Sequence, residues 1–491
     1  MNASHNVKTI YLLLTAIVLL TTSAPELKAA PLATINSQSG QPINDTAISA
    51  EITKLTGNSG KSGLLYFPNS VKRFYAGNKF KPAWLKGAKN LKLTWEAMLV
   101  LDCVLQFGLA HSDYHPAELS YPKLHAMVDT PANFSDSEKA RFDIMLTDAL
   151  LTLMNHLHYG KLNPVFTANK IDNGVAATGF KAENTLTNAL ATGNIMKTIA
   201  NVQPKLPEYF KLQNHLRLLN GQYLDDCYDI PEKDVRLVTI NMERLRWINA
   251  DHDAYIHINI PSFVLRFYQP DTVYQFKVIV GKPATPTPVL QSEVSYFTTA
   301  PDWKVPARIF AKELLPKAIK DNTFLERNQF AIYNNKGALI VPTVETLKQI
   351  QKAPGIYYAR QSSGCDNSLG LIVFRFKNAY SVYLHDTPEK KLFERGQRAF
   401  SHGCIRVENA GKLAELILHR DGAGNKIPQV RTAMNTYQTK TFTLKRPIPI
   451  EITYITCEVK DGELITYQDI YNKDKALEMA LYNVTDTLAM K

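Results

Sequence analysis

Near residue 255 the hydrophobic period of this chain changes from that of a helix to that of a strand, and a single-layer fold cannot accommodate both. Before that point Trp95 to Leu109 places Ala97-Met98, Val100-Leu101, Val104-Leu105 and Leu109 at helical spacing. Residues 137–158 repeat the pattern with Phe142, Met145-Leu146, Ala149-Leu150 and Leu153-Met154, and residues 205–219 do so again. After it Tyr255-Ile256-His257-Ile258-Asn259-Ile260, Phe263 to Tyr268 and Tyr274 to Val280 read as successive strands. The expectation is an α+β chain of several domains, helical first and mainly β afterwards. Its 491 residues leave room for two or three cores, and 45% hydrophobic with 21% charged residues excludes wholesale disorder.

The ends and interruptions divide the chain further. Lys8, the apolar run Ile10 to Leu20, and small residues at Thr21 to Ala24 and Ala29-Ala30 read as an export signal over residues 1–30. No clean Ala-x-Ala site follows, so both cleavage and retention as an N-terminal anchor stay open, and no other stretch is apolar enough to span a membrane. Residues 31–50, rich in Ser, Thr, Asn, Gln and Pro, read as a flexible linker. Residues 308–352 break the run of strands with helical, charged sequence, which suggests a lid over a cleft. The net charge of +11 suits an anionic partner, but no basic block or nucleic-acid motif accompanies it. His156 and His158 sit near a helix C-terminus, where a cation is favoured, and His257 reads as a satisfied strand residue. The five cysteines are an odd number for an oxidising compartment, so at least one thiol is unpaired. No Cys-x-x-Cys pair or His cluster suggests structural zinc, and no cofactor motif occurs.

The reactive residues lie between 383 and 406. Tyr383-Leu384-His385-Asp386-Thr387-Pro388 ends an alternating strand, and Ser401-His402-Gly403-Cys404-Ile405-Arg406 forms a glycine-containing turn ahead of a helical run from Asn409 to Leu418. A cysteine so placed, near a helix start and two histidines, is expected to ionise readily, and its loop amides could hold an oxyanion. Cys404 is therefore the candidate nucleophile and His385 the base and acid. A backbone carbonyl is the expected partner of the imidazole, since Asp386 points to the opposite strand face and would cap the turn. Ser401, His402 and Gly403 shape the cysteine loop; for His402, tuning of the thiolate and a structural hydrogen bond are equally open. Arg406 would either meet a substrate carboxylate or form a salt bridge that fixes the loop. Tyr383 shares the face of His385 and would line the same cleft or pack in the core.

Those two islands and the fifteen residues between His385 and Ser401 resemble the signature of the L,D-transpeptidase (YkuD) catalytic domain. Arg398-x-Phe400-Ser-His-Gly-Cys-Ile-Arg-Val-Glu resembles the large YcbB-like branch, as do Phe80-Lys-Pro-Ala-Trp-Leu85, Leu146-Thr-Asp-Ala149, Gly160-Lys-Leu-Asn-Pro164, Val280-Gly-Lys-Pro283 and Asp469-Ile-Tyr471. The resemblance implies a helical scaffold domain over 51–236 and a catalytic domain over 237–425 with a helical capping insertion at about 304–352. A C-terminal segment, 426–491, would return to the scaffold. The peptidoglycan-binding module common in that branch has no room between Asn220 and Arg236. In the turn Gln361-Ser-Ser-Gly-Cys365-Asp-Asn-Ser368 the family's Pro and Ala are replaced by Ser363 and Ser368, and Cys365 is either a plain turn residue or a second thiol near the cleft. The implied reaction joins peptidoglycan tetrapeptide stems by 3→3 crosslinks through a Cys404 thioester, in the periplasm, with no cofactor. The residues alone leave a hydrolytic cysteine peptidase and a non-catalytic wall-binding protein open as alternatives, and they do not fix the oligomeric state.

Overall fold

The computed structural model describes residues 45–58, 65–175, 179–222, 232–248, 252–321 and 323–482. The expected export signal and most of the expected linker lie outside these residues. The rest of the linker is a correction: Asp45–Asn58 is a helix. Its Ile48 and Ile52 are buried in the helical core, so a stretch too polar to show a period is ordered by two side chains.

The first part is built around the helix Asp136–Tyr159, which starts in a reciprocal capping box between Ser135 and Glu138. Most of its surface is buried, and the surrounding helices pack on Leu146, Leu150, Leu153 and Met154. Two acids on this helix organise the loops. Asp143 accepts the backbone N–H groups of Ala83 (2.9 Å) and Trp84 (2.9 Å) and the Tyr75 hydroxyl (2.6 Å). Asp148 accepts those of Tyr66 (3.0 Å) and Phe67 (2.9 Å), with His115 at 2.6 Å. Each carboxylate thus satisfies buried backbone groups that would otherwise cost about 1–3 kcal/mol apiece. His156 and His158 are corrected from the sequence reading. Burial holds both below the usual imidazole range, His156 down to about 3, and His156 takes the Tyr114 hydroxyl at 3.0 Å, so neither serves as a cation for the helix dipole.

The second part opens with β1 (Tyr255–Asn259), β2 (Val264–Gln269), β3 (Thr272–Gly281) and β4 (Leu290–Thr299). The chain then leaves for the insertion, which holds β5 (Trp303–Lys304), β6 (Phe330–Asn334), β7 (Leu339–Ile340) and β8 (Tyr357–Gln361). Strands β9 (Ile372–Phe376), β10 (Leu384–His385), β11 (Ala399–Ser401), β12 (Ile405–Val407) and β13 (Lys440–Thr453) follow, and a hairpin of β14 (Cys457–Lys460) and β15 (Glu463–Thr466) comes last. The main sheet runs β11-β3-β12-β10-β9-β4-β13-β1-β2, and β2 also pairs with β3, so eight strands close on themselves as a barrel with β11 appended. Its core holds Ile258, Leu265, Phe297, Phe374, Leu384 and Ile405, and the helix Ala410–Arg420 packs on that core with Leu413 and Ile417.

The insertion carries the expected helices and a four-stranded sheet of its own, β5-β8-β6-β7, around Phe310, Leu315, Leu347 and Ile350. Gln361, at the head of the turn that carries Cys365, ends a strand of this smaller sheet. At the other end, Ile455 and Cys457 pack with Tyr209, Leu216, Met242 and Leu245, while Arg244 pairs with Asp474 at 2.5 Å and Arg236 with Glu478 at 3.1 Å. These contacts bind residues 455–478 to the helices before the barrel, whereas β13, also within the expected C-terminal segment, is a strand of the barrel itself. No helix of the described residues is long and apolar enough to cross a membrane.

Candidate active site

Strand register brings the two islands together. β10 pairs in parallel with β12, Leu384 opposite Ile405 and His385 opposite Arg406, and the Ile405 N–H donates to the Tyr383 carbonyl at 3.1 Å. Leu384 and Ile405 are fully buried on the barrel side. Alternation along each strand therefore puts Tyr383, His385, Cys404 and Arg406 on the opposite face, with the cysteine level with Tyr383 and diagonal to His385. The Tyr383 and His385 rings meet edge to face at 5.7 Å, and the Tyr383 hydroxyl is in hydrogen-bond contact with the Cys404 thiol.

The imidazole is held by a backbone carbonyl, as the strand geometry suggested. Nδ1–H donates to the Asp386 carbonyl at 2.5 Å, which leaves Nε2 as the acceptor of a proton. The Asp386 carboxylate instead accepts the Leu371 N–H at 3.0 Å and pairs with Lys390. Burial, and then the neighbouring Arg406 guanidinium, push the His385 pKa down to about 3, so the ring is neutral at working pH.

The thiol differs from the sequence reading. Strand β12 stands between Cys404 and the helix that starts at Ala410, so the cysteine does not lie at the start of that helix. Burial raises the Cys404 pKa, opposed by hydrogen bonds from the Tyr383 backbone and hydroxyl and by the guanidiniums of Arg375 and Arg406. The shifts of both groups run against a preformed thiolate and imidazolium.

The cysteine loop is held from one side by backbone and hydroxyl contacts. Gly403 sits at φ +115°, a conformation that favours glycine, and its N–H donates to Ser401 Oγ at 3.1 Å. Ser401 Oγ in turn donates to the Cys404 carbonyl at 2.5 Å. Thr287 Oγ1 donates to the Gly403 carbonyl (2.8 Å) and accepts the Gly281 N–H (2.9 Å), and the Tyr471 hydroxyl closes the set on the Gly281 carbonyl at 2.6 Å. Thr287 and Tyr471 were not singled out as site residues from the sequence; the Asp469-Ile-Tyr471 motif was the available signal.

Two expected residues have other partners. His402 Nε2 lies 2.7 Å from Glu313 Oε1, on the turn Phe310–Leu314 of the insertion, so it bridges to the cap rather than to the sulfur. Arg406 is paired with Glu389 and lies 3.4 Å from Thr387 Oγ1, which is the loop-fixing alternative. A cavity of about 640 Å³ lies elsewhere, at the scaffold between Tyr159, Phe180 and Trp247. Among the described residues no group of three or more His, Cys, Asp or Glu could hold a metal ion, and Cys103, Cys365, Cys404 and Cys457 are free thiols, with Cys365 in an exposed turn.

Comparison with known proteins agrees with this architecture. The Scaffold domain family matches residues 69–216, and the L,D-transpeptidase catalytic domain family matches residues 253–436. The chain carries an L,D-transpeptidase catalytic domain behind a scaffold domain. A protein of Haemophilus influenzae named as a candidate L,D-transpeptidase is 26% identical over 427 residues, covering 85% of this chain and 81% of that protein. Among solved structures, an L,D-transpeptidase from Mycobacterium smegmatis aligns with 41% of this chain and 58% of its own at 12% identity and a TM-score of 0.20. L,D-transpeptidase 1 of Mycobacterium tuberculosis aligns with 41% and 61% at 11% identity and a TM-score of 0.16. The match thus spans about three fifths of each of those chains.

The buried histidines of this L,D-transpeptidase domain and its scaffold predict a pH effect on stability. His385 and His156 are depressed to about 3 and His257, bonded to Thr453 Oγ1 at 2.8 Å, to about 4, each first by burial. Unfolded imidazoles take up protons below about pH 6.5, and the folded ones do not. Their contribution is complete above about pH 6.5 and is lost as pH falls, by roughly 1.4 kcal/mol per unit for each ring. Glu451, raised to about 8 by burial, and Asp143, also raised, act in the opposite sense but are fewer. Denaturant unfolding should show stability falling from pH 6.5 to 4.5; a flat or rising profile would contradict these assignments.

Proposed function

We propose that this protein is an exported, periplasmic peptidoglycan L,D-transpeptidase that forms 3→3 crosslinks. One observation carries the reading: Cys404, Tyr383 and His385 share one sheet face, with His385 Nδ1 tied to the Asp386 carbonyl. In the first half-reaction the Cys404 proton passes to His385 Nε2 as sulfur attacks the carbonyl between the third residue and the terminal D-alanine of a tetrapeptide stem. The C–N bond breaks, His385 returns the proton to the leaving D-alanine amine, and a thioester remains. In the second, the side-chain amine of a neighbouring stem attacks the thioester, loses a proton to His385, and the thiol reforms. The Gly403 N–H is engaged by Ser401, so we assign the Cys404 N–H to the oxyanion. No metal or cofactor takes part in this scheme.

Tyr383 supports the ionising step. Burial, and then the thiol it faces, keep its hydroxyl protonated well above the usual phenol range, so it can donate to sulfur as charge develops. Tyr383→Phe should lower the acylation rate roughly 10-fold, as expected for one charge-assisted hydrogen bond, and should raise the thiol pKa read from the pH dependence of alkylation. An unchanged thiol pKa would remove Tyr383 from this role.

The proposal is tested by incubating the purified protein with tetrapeptide muropeptides and weighing the products. Dimers that have lost one D-alanine support transfer. Monomeric tripeptides would make it a hydrolase, and unchanged substrate would make it a wall-binding protein.

A further inference from the structure

The cation that the sequence offered for a substrate carboxylate, Arg406, is already paired with Glu389. A second guanidinium stands on the same face. β9 runs antiparallel to β10 with Phe374 opposite Leu384 and Val373 opposite His385, so Arg375 is level with Tyr383, which is level with Cys404. Phe374 is buried in the barrel core, and alternation sends Arg375 the other way. Its Cζ lies 5.1 Å from the centre of the Tyr383 ring. Across two strand spacings its Cβ is roughly 10 Å from that of the cysteine, and an extended arginine covers more than half of that gap.

Arg375 is half-buried, and among the described residues it has no carboxylate or carbonyl partner; the Tyr383 ring is its contact. A guanidinium in such a place, always charged and presenting a planar fork of donors, is built for a carboxylate. Its energetic cost in a half-buried row is offset once an anion arrives.

We propose that Arg375 is the residue that binds a carboxylate of the substrate peptide beside the Cys404 thiol, a specificity determinant resting on the acyl-transfer reading above. Two sources share this chemistry: the terminal α-carboxylate of the residue that leaves, and the side-chain carboxylate of the residue whose carbonyl is attacked. Because the contact is made to the ground state, its loss appears first in binding and KM.

The test pairs Arg375→Gln and Arg375→Lys with three tetrapeptide stems: fully ionised, C-terminally amidated, and amidated on the side-chain carboxylate. Binding is measured by calorimetry in the Cys404→Ala background, which needs no turnover, and kcat/KM in the otherwise unaltered enzyme. Arg375→Gln should weaken binding of the ionised stem by roughly 10–100-fold, the worth of a charge-assisted hydrogen bond. One of the two amidated stems should lose the same factor with the parent protein and nothing more with Arg375→Gln, which names the carboxylate. Arg375→Lys should recover part of the loss, and alkylation of Cys404 by uncharged iodoacetamide, read against pH, should change only by the rise in thiol pKa that removing the Arg375 charge brings.

An equal loss on all three stems, or none, would overturn the assignment. Selective loss of binding without turnover of any stem would keep Arg375 as an anion site while ending the transpeptidase reading.

Discussion

His385→Ala is expected to form the Cys404 thioester roughly 10²–10⁴-fold more slowly than the parent protein, the usual worth of a positioned acid and base. The deficit should be large because His385 is the base that shares the face of the thiol. Burial raises the thiol pKa, and the cysteine does not lie at the start of the helix that follows it. The other histidine of the motif, His402, is engaged by Glu313 of the cap. Stopped-flow acylation with a chromogenic thioester-forming substrate gives the rate, and thermal unfolding controls for the loss of the Asp386 carbonyl bond. The neutral imidazole has a further consequence. With the imidazole pKa near 3, kcat/KM should show no acid limb around pH 6.5. A limb there, or an alanine variant within a few-fold of the parent, would contradict the role given to this ring.

Gly281→Ala is expected to cost roughly 10²-fold in acylation while leaving the protein folded. A Cβ at 281 would fall 2.2 Å from the Thr285 carbonyl oxygen and 2.7 Å from the Thr287 nitrogen. Both contacts are backbone, so the loop must move. That loop holds the cysteine turn: Thr287 Oγ1 donates to the Gly403 carbonyl at 2.8 Å and Thr285 Oγ1 to the Ser401 carbonyl at 3.2 Å. A displacement of about 1 Å of the nucleophile is enough for a loss of that order. Gly396→Ala, where an added Cβ meets nothing within 4 Å, is the matched control. Parent-like acylation by Gly281→Ala would show that the loop does not position Cys404.

The switch of period near residue 255 was legible because helices and strands each ran long enough to show it, and the barrel and helical core follow from it. Cys404 and His385 were legible as residue types in a specific motif. Their surroundings were less so, for physical reasons. Three-residue β12 is too short to show a period, so the cysteine read as the start of a helix. Arg375 is the one charge in the apolar run Ile372–Phe376, a visible signal, but its place beside Tyr383 depends on antiparallel register that no local pattern contains. His402 finds its partner 89 residues away in an insertion whose own sheet was not foreseen. Asp45 to Ala50 read as linker because only the core it meets makes that helix worthwhile.

Intact-protein mass spectrometry during reaction with a tetrapeptide stem tests the central claim most directly. The account predicts a transient adduct that adds the mass of the stem less D-alanine, mapped by proteolysis to Cys404 and absent from Cys404→Ala. An adduct that persists in that variant, or that maps to the exposed thiols Cys103 or Cys365, would contradict it.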